Sequence, residues 1–135
     1  MAFETRFRIR FHDADAAGIL FHGNILHLAH NAFEEFLDHV GISWRDYFQN
    51  EKYAAPIRKA EIDFYKPLAV GESYSIKVSV AHVGNTSFSI HYRFLDEGRV
   101  AAEVKTIHVF VDPKTVTKLP IPKHIRSAFE IELRK

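Results

Sequence analysis

Two aspartates and one histidine lie close together near the amino end of the chain: Asp13, Asp15 and His22. A carboxylate can act as a general base toward water or as a nucleophile toward a carbonyl carbon. The small residues at positions 16–18 allow a ligand to come close to the backbone. These residue types suit acyl transfer, and a thioester needs less catalytic help than an amide because a thiolate is a good leaving group.

The segment after this loop is expected to be a long helix. Its apolar residues recur three and four positions apart, which is typical of a helix with one buried face. Gly23 or Asn24 is expected to cap its start, and Gly41 to end it. The first N–H groups of a helix point out along its axis and can stabilise a carbonyl oxygen that becomes negative. The apolar stripe consists of Ile25, Leu28, Ala29, Ala32, Phe33, Phe36, Leu37 and Val40.

Other interpretations of the same residues stay open at this point. Aspartates in a loop before a helix commonly cap or turn the backbone, which fits Asp13 and is as good an account of Asp15 as catalysis. His22 taken alone is more commonly a helix cap or a surface residue than a catalyst. A metal site formed by these residues with His12 is disfavoured because their spacing matches no known ligand pattern.

The remainder of the chain alternates polar and apolar residues in the manner of β-strands. The predicted order is a strand, the long helix, and four antiparallel strands linked by hairpins, with turns at Gly71, Gly84-Asn85 and residues 96–98. The helix is the only cover available for the apolar face, so the sheet is expected to curve around it. The tail after Pro113 is expected to be irregular, with a short terminal helix. The predicted strands are residues 3–11, 59–64, 73–80, 87–94 and 99–111.

Length, charge and composition exclude several classes of protein and of functional site. The 135 residues fit one domain, spanning 1–135, and the net charge of +1 gives no general field for binding nucleic acid. The absence of cysteine excludes disulfides, thiolate metal sites and a cysteine nucleophile. No apolar run is long enough for a membrane span or a signal peptide, so we expect a cytoplasmic protein.

The residues around the aspartates resemble a known family. Residues 11–24, FHDADAAGILFHGN, are similar to the start of the 4-hydroxybenzoyl-CoA thioesterase family, and the weaker segments API, FYKPL and VGNTSF extend the likeness over nearly the whole chain. The resemblance implies an α+β hotdog fold, in which a curved five-stranded antiparallel sheet wraps around one long helix. That architecture agrees with the order of elements above.

The resemblance also implies roles for individual residues. Asp15 would be the catalytic carboxylate, acting as base or nucleophile, and the backbone N–H of His22 would polarise the thioester carbonyl. Many relatives carry a histidine at position 22 that assists the base, whereas relatives acting on hydroxyaryl-CoA often have an aromatic residue there. Some of the histidine group have a tyrosine where this chain has Phe11, so the role of that position is open.

Substrate contacts and assembly follow from the resemblance as well. An acyl-CoA or aryl-CoA would be cleaved without cofactor or metal, at sites between subunits of a homodimer or homotetramer. Alternatives are a hotdog hydratase or dehydratase and a non-catalytic acyl-CoA-binding module. The phenylalanine-rich composition does not rank fatty against aromatic acyl groups. The expected substrate-binding residues are Gly18, Ile19, Phe21 and Gly23 near the thioester, and Arg58, Lys59, Asn85, Thr86 and Ser87 on CoA.

Overall fold

The fold is that of a five-stranded antiparallel sheet and three helices, in a computed structural model that describes residues 3–20 and 22–133. The predicted long helix is confirmed with its start at Ile25 and its end at His39, just before Gly41. In chain order the elements are β1 (Phe3–Arg8), α1 (Ile25–His39), α2 (Trp44–Phe48), β2 (Ile57–Phe64), β3 (Ser73–Val83), β4 (Ser87–Asp96), β5 (Arg99–Val109) and α3 (Lys123–Leu133).

The strands lie in the order β1-β3-β4-β5-β2. The hairpins that join β3 to β4 and β4 to β5 are confirmed, because Gly84-Asn85 and residues 96–98 form the short turns expected. The expected hairpin between β2 and β3 is wrong. β2 pairs with β5 at one edge of the sheet, and the chain then crosses back to β3. In this connection Tyr65 and Lys66 still bond to Ala101 of β5, and residues 68–72 instead pair with the segment between β1 and α1.

The core lies between the concave face of the sheet and α1. Phe33 and Phe36 of the helix are almost completely buried, and Phe33 stacks 6.4 Å from Phe88 of β4. Helix α1 is not the only cover, contrary to expectation. Phe129 of α3 is fully buried, 4.8 Å from Phe88 and 6.0 Å from Phe36, so the terminal helix closes the core beside α1. Each such ring contributes roughly 2–3 kcal/mol by leaving water.

Two rows of paired residues define the two ends of the sheet. The loop end is marked by the row Ile76, Phe94, Ala102 and Phe64, and the turn end by the row Val83, Phe88, His108 and Ile57. Between these rows β2 covers seven residue steps, roughly 23 Å at the usual rise of a strand. No helix within 3–20 and 22–133 is long and apolar enough to cross a membrane.

Candidate active site

The loop before α1 begins with a tight turn that Asp13 closes. The side chain of Asp13 is 5% exposed, and its Oδ2 accepts the backbone N–H of Arg10 at 2.9 Å. Residues 11–13 form a 3₁₀ turn, so the predicted strand stops at Arg8 and does not reach residue 11. His12 lies 3.4 Å from the other Asp13 oxygen. Asp13 therefore has the structural role that its position before a helix suggests.

Asp15 lies at the start of the next turn and faces solvent. Its Oδ1 accepts the N–H of Ala17 at 2.8 Å, and its backbone carbonyl accepts the N–H of Gly18 at 3.1 Å. Gly18 has φ of +78°, a backbone conformation that residues other than glycine rarely adopt. These bonds hold the carboxylate in place through one oxygen, and Oδ2 makes no hydrogen bond to any residue that the structure describes.

The loop is anchored on both sides. The side-chain amide of Asn24 donates to the carbonyl of Asp13 at 2.9 Å, which ties the start of α1 to the first turn. Asn24 occupies the predicted N-cap position, but its side chain makes this bond instead of capping the helix. On the other side, Leu20 donates to Leu68 at 2.7 Å, and Val70 donates to Gly18 at 3.0 Å. The carboxylate thus stands on a loop with both flanks fixed.

Asp15 and His22 line the same cleft. The cleft has a volume of about 370 Å³ and opens to solvent between the loop and the segment that follows β2. His22 begins a 3₁₀ turn that leads directly into α1, so the predicted carboxylate and the predicted helix start face one space. Its walls are otherwise mainly apolar. The remaining lining residues are Ile19, Leu20, Phe64, Tyr65, Lys66, Pro67 and Leu68.

The far wall of the cleft was not assigned to the site from the sequence. Phe64 and Tyr65 are 45% and 58% exposed, which leaves two aromatic side chains beside the carboxylate. Lys66 forms an ion pair with Asp96 at 3.2 Å. The sequence signal for these residues is the segment FYKPL, one of the weaker segments of the family resemblance. Only the pairing of residues 68–70 with residues 18–20 brings this segment to Asp15.

Not all of the predicted substrate residues meet at this cleft. Ile19 lines it, Gly18 and Gly23 belong to its supporting turns, and Phe21 lies outside the described residues. Arg58 and Lys59 lie toward the turn end of β2, roughly 20 Å along the strand from the cleft wall. Within one chain the structure does not bring these two residues to Asp15.

The turn at residues 84–87 also lies at the turn end of the sheet. The carbonyl of Asn85 accepts the N–H of Ile121 at 3.0 Å, and the carbonyl of Thr86 accepts that of Phe110 at 2.8 Å. Ser87 opens β4. The backbone of this turn therefore holds the C-terminal segment, and within one chain it lies at the other end of the sheet from Asp15. In residues 3–20 and 22–133 no group of three or more acidic or histidine side chains is arranged to hold a metal ion.

Comparison with known proteins shows the family of this chain. A family model described as the thioesterase-like superfamily matches residues 9–129. The chain belongs to the thioesterase-like superfamily. A 1,4-dihydroxy-2-naphthoyl-CoA hydrolase from Nostoc punctiforme is 34% identical over 134 residues, which cover 99% of this chain and 90% of that protein.

Solved structures within the superfamily share the fold. A structure from Prochlorococcus marinus superposes with a TM-score of 0.90 at 25% identity, covering 96% of this chain and 94% of the other. A gentisyl-coenzyme A thioesterase has a TM-score of 0.83 at 30% identity, covering 94% and 99%. The predicted hotdog fold and the predicted class of enzyme, a thioester hydrolase, are confirmed by this membership.

Proposed function

We propose that this thioesterase-like protein hydrolyses an aromatic acyl-CoA in the cleft between Asp15 and Phe64, without a cofactor. The observation that carries the proposal is that Asp15 and His22 line one cleft at the start of α1. Its volume of about 370 Å³ is in the range of small-molecule sites. The exposed rings of Phe64 and Tyr65 favour an aromatic acyl group.

The names of the relatives support the same substrate class. The Nostoc protein is a hydrolase of 1,4-dihydroxy-2-naphthoyl-CoA, and the solved relative is a gentisyl-CoA thioesterase. The segment at residues 11–24 supports the finer assignment to the 4-hydroxybenzoyl-CoA thioesterase family, which is part of this proposal.

The proposed reaction uses the carboxylate and the helix start together. Asp15 either takes a proton from water as that water attacks the thioester carbon, or attacks the carbon itself to give an anhydride that water then cleaves. In both routes the carbonyl oxygen becomes negative near the N–H of His22, where the positive end of α1 stabilises it. The C–S bond breaks, CoA leaves as the thiolate and takes up a proton, and the free acid remains.

Release of free thiol from a panel of thioesters tests this proposal. We expect thiol release from dihydroxynaphthoyl-CoA, gentisyl-CoA and 4-hydroxybenzoyl-CoA with a kcat/KM at least about tenfold above that for palmitoyl-CoA, since a ring fills the aromatic cleft better than a chain. A preference for fatty acyl-CoA would contradict the substrate class. An enoyl-CoA that loses absorbance without releasing thiol would identify a hydratase, and binding without turnover of any thioester would identify a non-catalytic module.

The exposed edge of β2 supports the proposal of an interfacial site. Among the residues that the structure describes, this strand pairs with β5 alone, and Ile57 at one end and Phe64 at the other are 49% and 45% exposed. An edge strand presents a row of unpaired N–H and C=O groups that a strand of another chain can pair with, and the eight residues of β2 offer such an edge. If two copies paired antiparallel along β2, the loop end of one would meet the turn end of the other. Arg58 of the second copy would then approach the cleft of the first.

Sedimentation at catalytic concentrations tests this arrangement. We expect the mass of a dimer or tetramer, because the cleft in one chain lacks a wall on its open side. Dilution below the dissociation constant is expected to lower the turnover per chain together with the mass. A monomer that keeps full turnover on the preferred thioester would contradict an interfacial site.

A further inference from the structure

A second groove, distinct from the catalytic cleft, lies where β1 runs into the loop. It has a volume of about 300 Å³. Two arginines and an aromatic ring form its exposed part, and the backbone of the β2–β3 connection forms the other side. Its lining residues are Arg8, Ile9, Arg10, Phe11, Val70 and Gly71.

The positive charge of this groove is not neutralised by ion pairs. Arg8 donates from Nε to the carbonyl of Gly71 at 3.2 Å, which fixes its guanidinium while leaving the terminal nitrogens available. Within the described residues, none of the ion pairs involves Arg8 or Arg10. The nearest acid along the β2–β3 connection is Glu72, which is exposed and forms no such pair. Two guanidinium groups on one rim suit a phosphate, which accepts two parallel hydrogen bonds from each.

Phe11 gives the groove an aromatic surface. Its side chain is 90% exposed, more than any other large apolar residue in the described part of the chain. A solvent-exposed aromatic ring beside two cationic side chains can stack against a nucleotide base. Gly71 has φ of +86°, and a side chain there would begin 4.0 Å from Nη2 of Arg8. That distance is an ordinary van der Waals contact, so glycine is favoured at this position by its positive φ.

The groove and the catalytic cleft both border the connection between β2 and β3. Leu68 lines the cleft and Gly71 lines the groove, so at most roughly 10 Å of chain separates them. An extended pantetheine arm can bridge that separation. We infer that the groove formed by Arg8, Arg10 and Phe11 binds the phosphorylated adenosine diphosphate of the CoA substrate, with the arginines on phosphate and Phe11 on adenine. This inference rests on the proposed thioesterase function, and it moves the main phosphate contacts from Arg58 and Lys59 to β1.

Comparing two substrates that differ only in the nucleotide tests the inference. The same aromatic acid is supplied as its CoA thioester and as its pantetheine thioester, which lacks the nucleotide. For the double variant Arg8→Gln and Arg10→Gln we expect the KM for the CoA thioester to rise about ten- to hundredfold, with kcat unchanged. The KM for the pantetheine thioester is expected to stay the same. Phe11→Ala is expected to raise the KM for the CoA thioester alone, about fivefold or more.

Control variants and the pantetheine thioester distinguish a failure of the nucleotide-binding inference from a failure of the proposed thioesterase function. Arg6→Gln removes a charge from the same face of β1 outside the groove, where Arg6 donates to Ser75 at 3.2 Å, and it is expected to leave both KM values unchanged. Turnover of the pantetheine thioester by the double variant shows that it is folded and active. An equal rise for both substrates, no rise for either, or a rise produced only by Arg58→Gln would overturn the inference. If the parent cleaves neither thioester, the proposed function itself fails.

Discussion

Replacing Asp15 by asparagine is expected to lower kcat by about 100- to 10 000-fold on every thioester that the parent cleaves. Asparagine has nearly the same shape but can neither take a proton from water nor attack the thioester carbon. Its amide oxygen can still accept the N–H of Ala17, as Oδ1 of Asp15 does at 2.8 Å. Because Asp15 is also exposed, we expect its loss to change the free energy of unfolding by less than about 0.5 kcal/mol.

Asp13→Asn is the matched control, since it makes the same chemical change two residues away. Asp13 is buried and accepts the N–H of Arg10 at 2.9 Å with a charged oxygen, so its replacement is expected to cost about 1–2 kcal/mol of stability. Its effect on kcat is expected to be much smaller than that of Asp15→Asn. Steady-state kinetics compare the kcat values of the two variants, and urea unfolding compares their free energies of unfolding. Near-normal turnover in Asp15→Asn would contradict a catalytic role for Asp15. A large loss of kcat in Asp13→Asn together with a small one in Asp15→Asn would contradict it as well.

These two aspartates also show where sequence reasoning reached its limit. Both are polar residues in a loop before a helix, and that pattern alone does not distinguish a cap from a catalyst. The distinction is burial, which depends on how the loop folds against distant parts of the chain. The Asp13 carboxylate is turned inward and accepts the N–H of Arg10, and Asn24 holds the backbone carbonyl of the same residue. The Asp15 carboxylate is turned outward on the next turn.

The elements themselves were largely predictable because their signals are local. The stripe from Ile25 to Leu37 defines α1, and the turns at Gly84-Asn85 and residues 96–98 define two hairpins. The position of β2 was not predictable in this way. Gly71 does form a turn, but the partner of β2 is β5, some forty residues along the chain, and nothing local encodes that choice. The cleft wall at residues 64–68 depends on a second nonlocal pairing, that of residues 68–70 with residues 18–20.

The second large expected effect concerns the buried histidine at the turn end of the sheet. His108 of β5 is 3% exposed, and its ring stacks on Phe88 at 4.6 Å with an interplanar angle of 9°. Its Nε2 lies 2.9 Å from the hydroxyl of Thr106. Burial lowers the pKa of His108 to about 4, a hydrogen bond with the backbone of Ala55 opposes that shift in part, and the electrostatic interaction with His30 adds to it. The folded protein thus keeps this ring neutral at pH values where the unfolded chain protonates it.

The sign of the pH dependence follows from proton uptake. Between about pH 6.5 and pH 4 the unfolded state binds a proton at His108 that the folded state does not, so stability falls as the pH falls. A shift from 6.5 to about 4 corresponds to about 3 kcal/mol over that window, and no further loss arises from this group below it. Urea unfolding at a series of pH values from 7.5 to about 4 measures the slope.

His108→Gln isolates the contribution of this ring from that of the carboxylates, which also titrate at low pH. The variant is less stable than the parent at neutral pH because glutamine loses the stacking on Phe88. Its stability is nevertheless expected to fall less steeply between pH 6.5 and pH 4, by up to about 3 kcal/mol. Parallel curves for the parent and His108→Gln would mean that His108 is protonated equally in the folded and unfolded states, and that the core accommodates its charge.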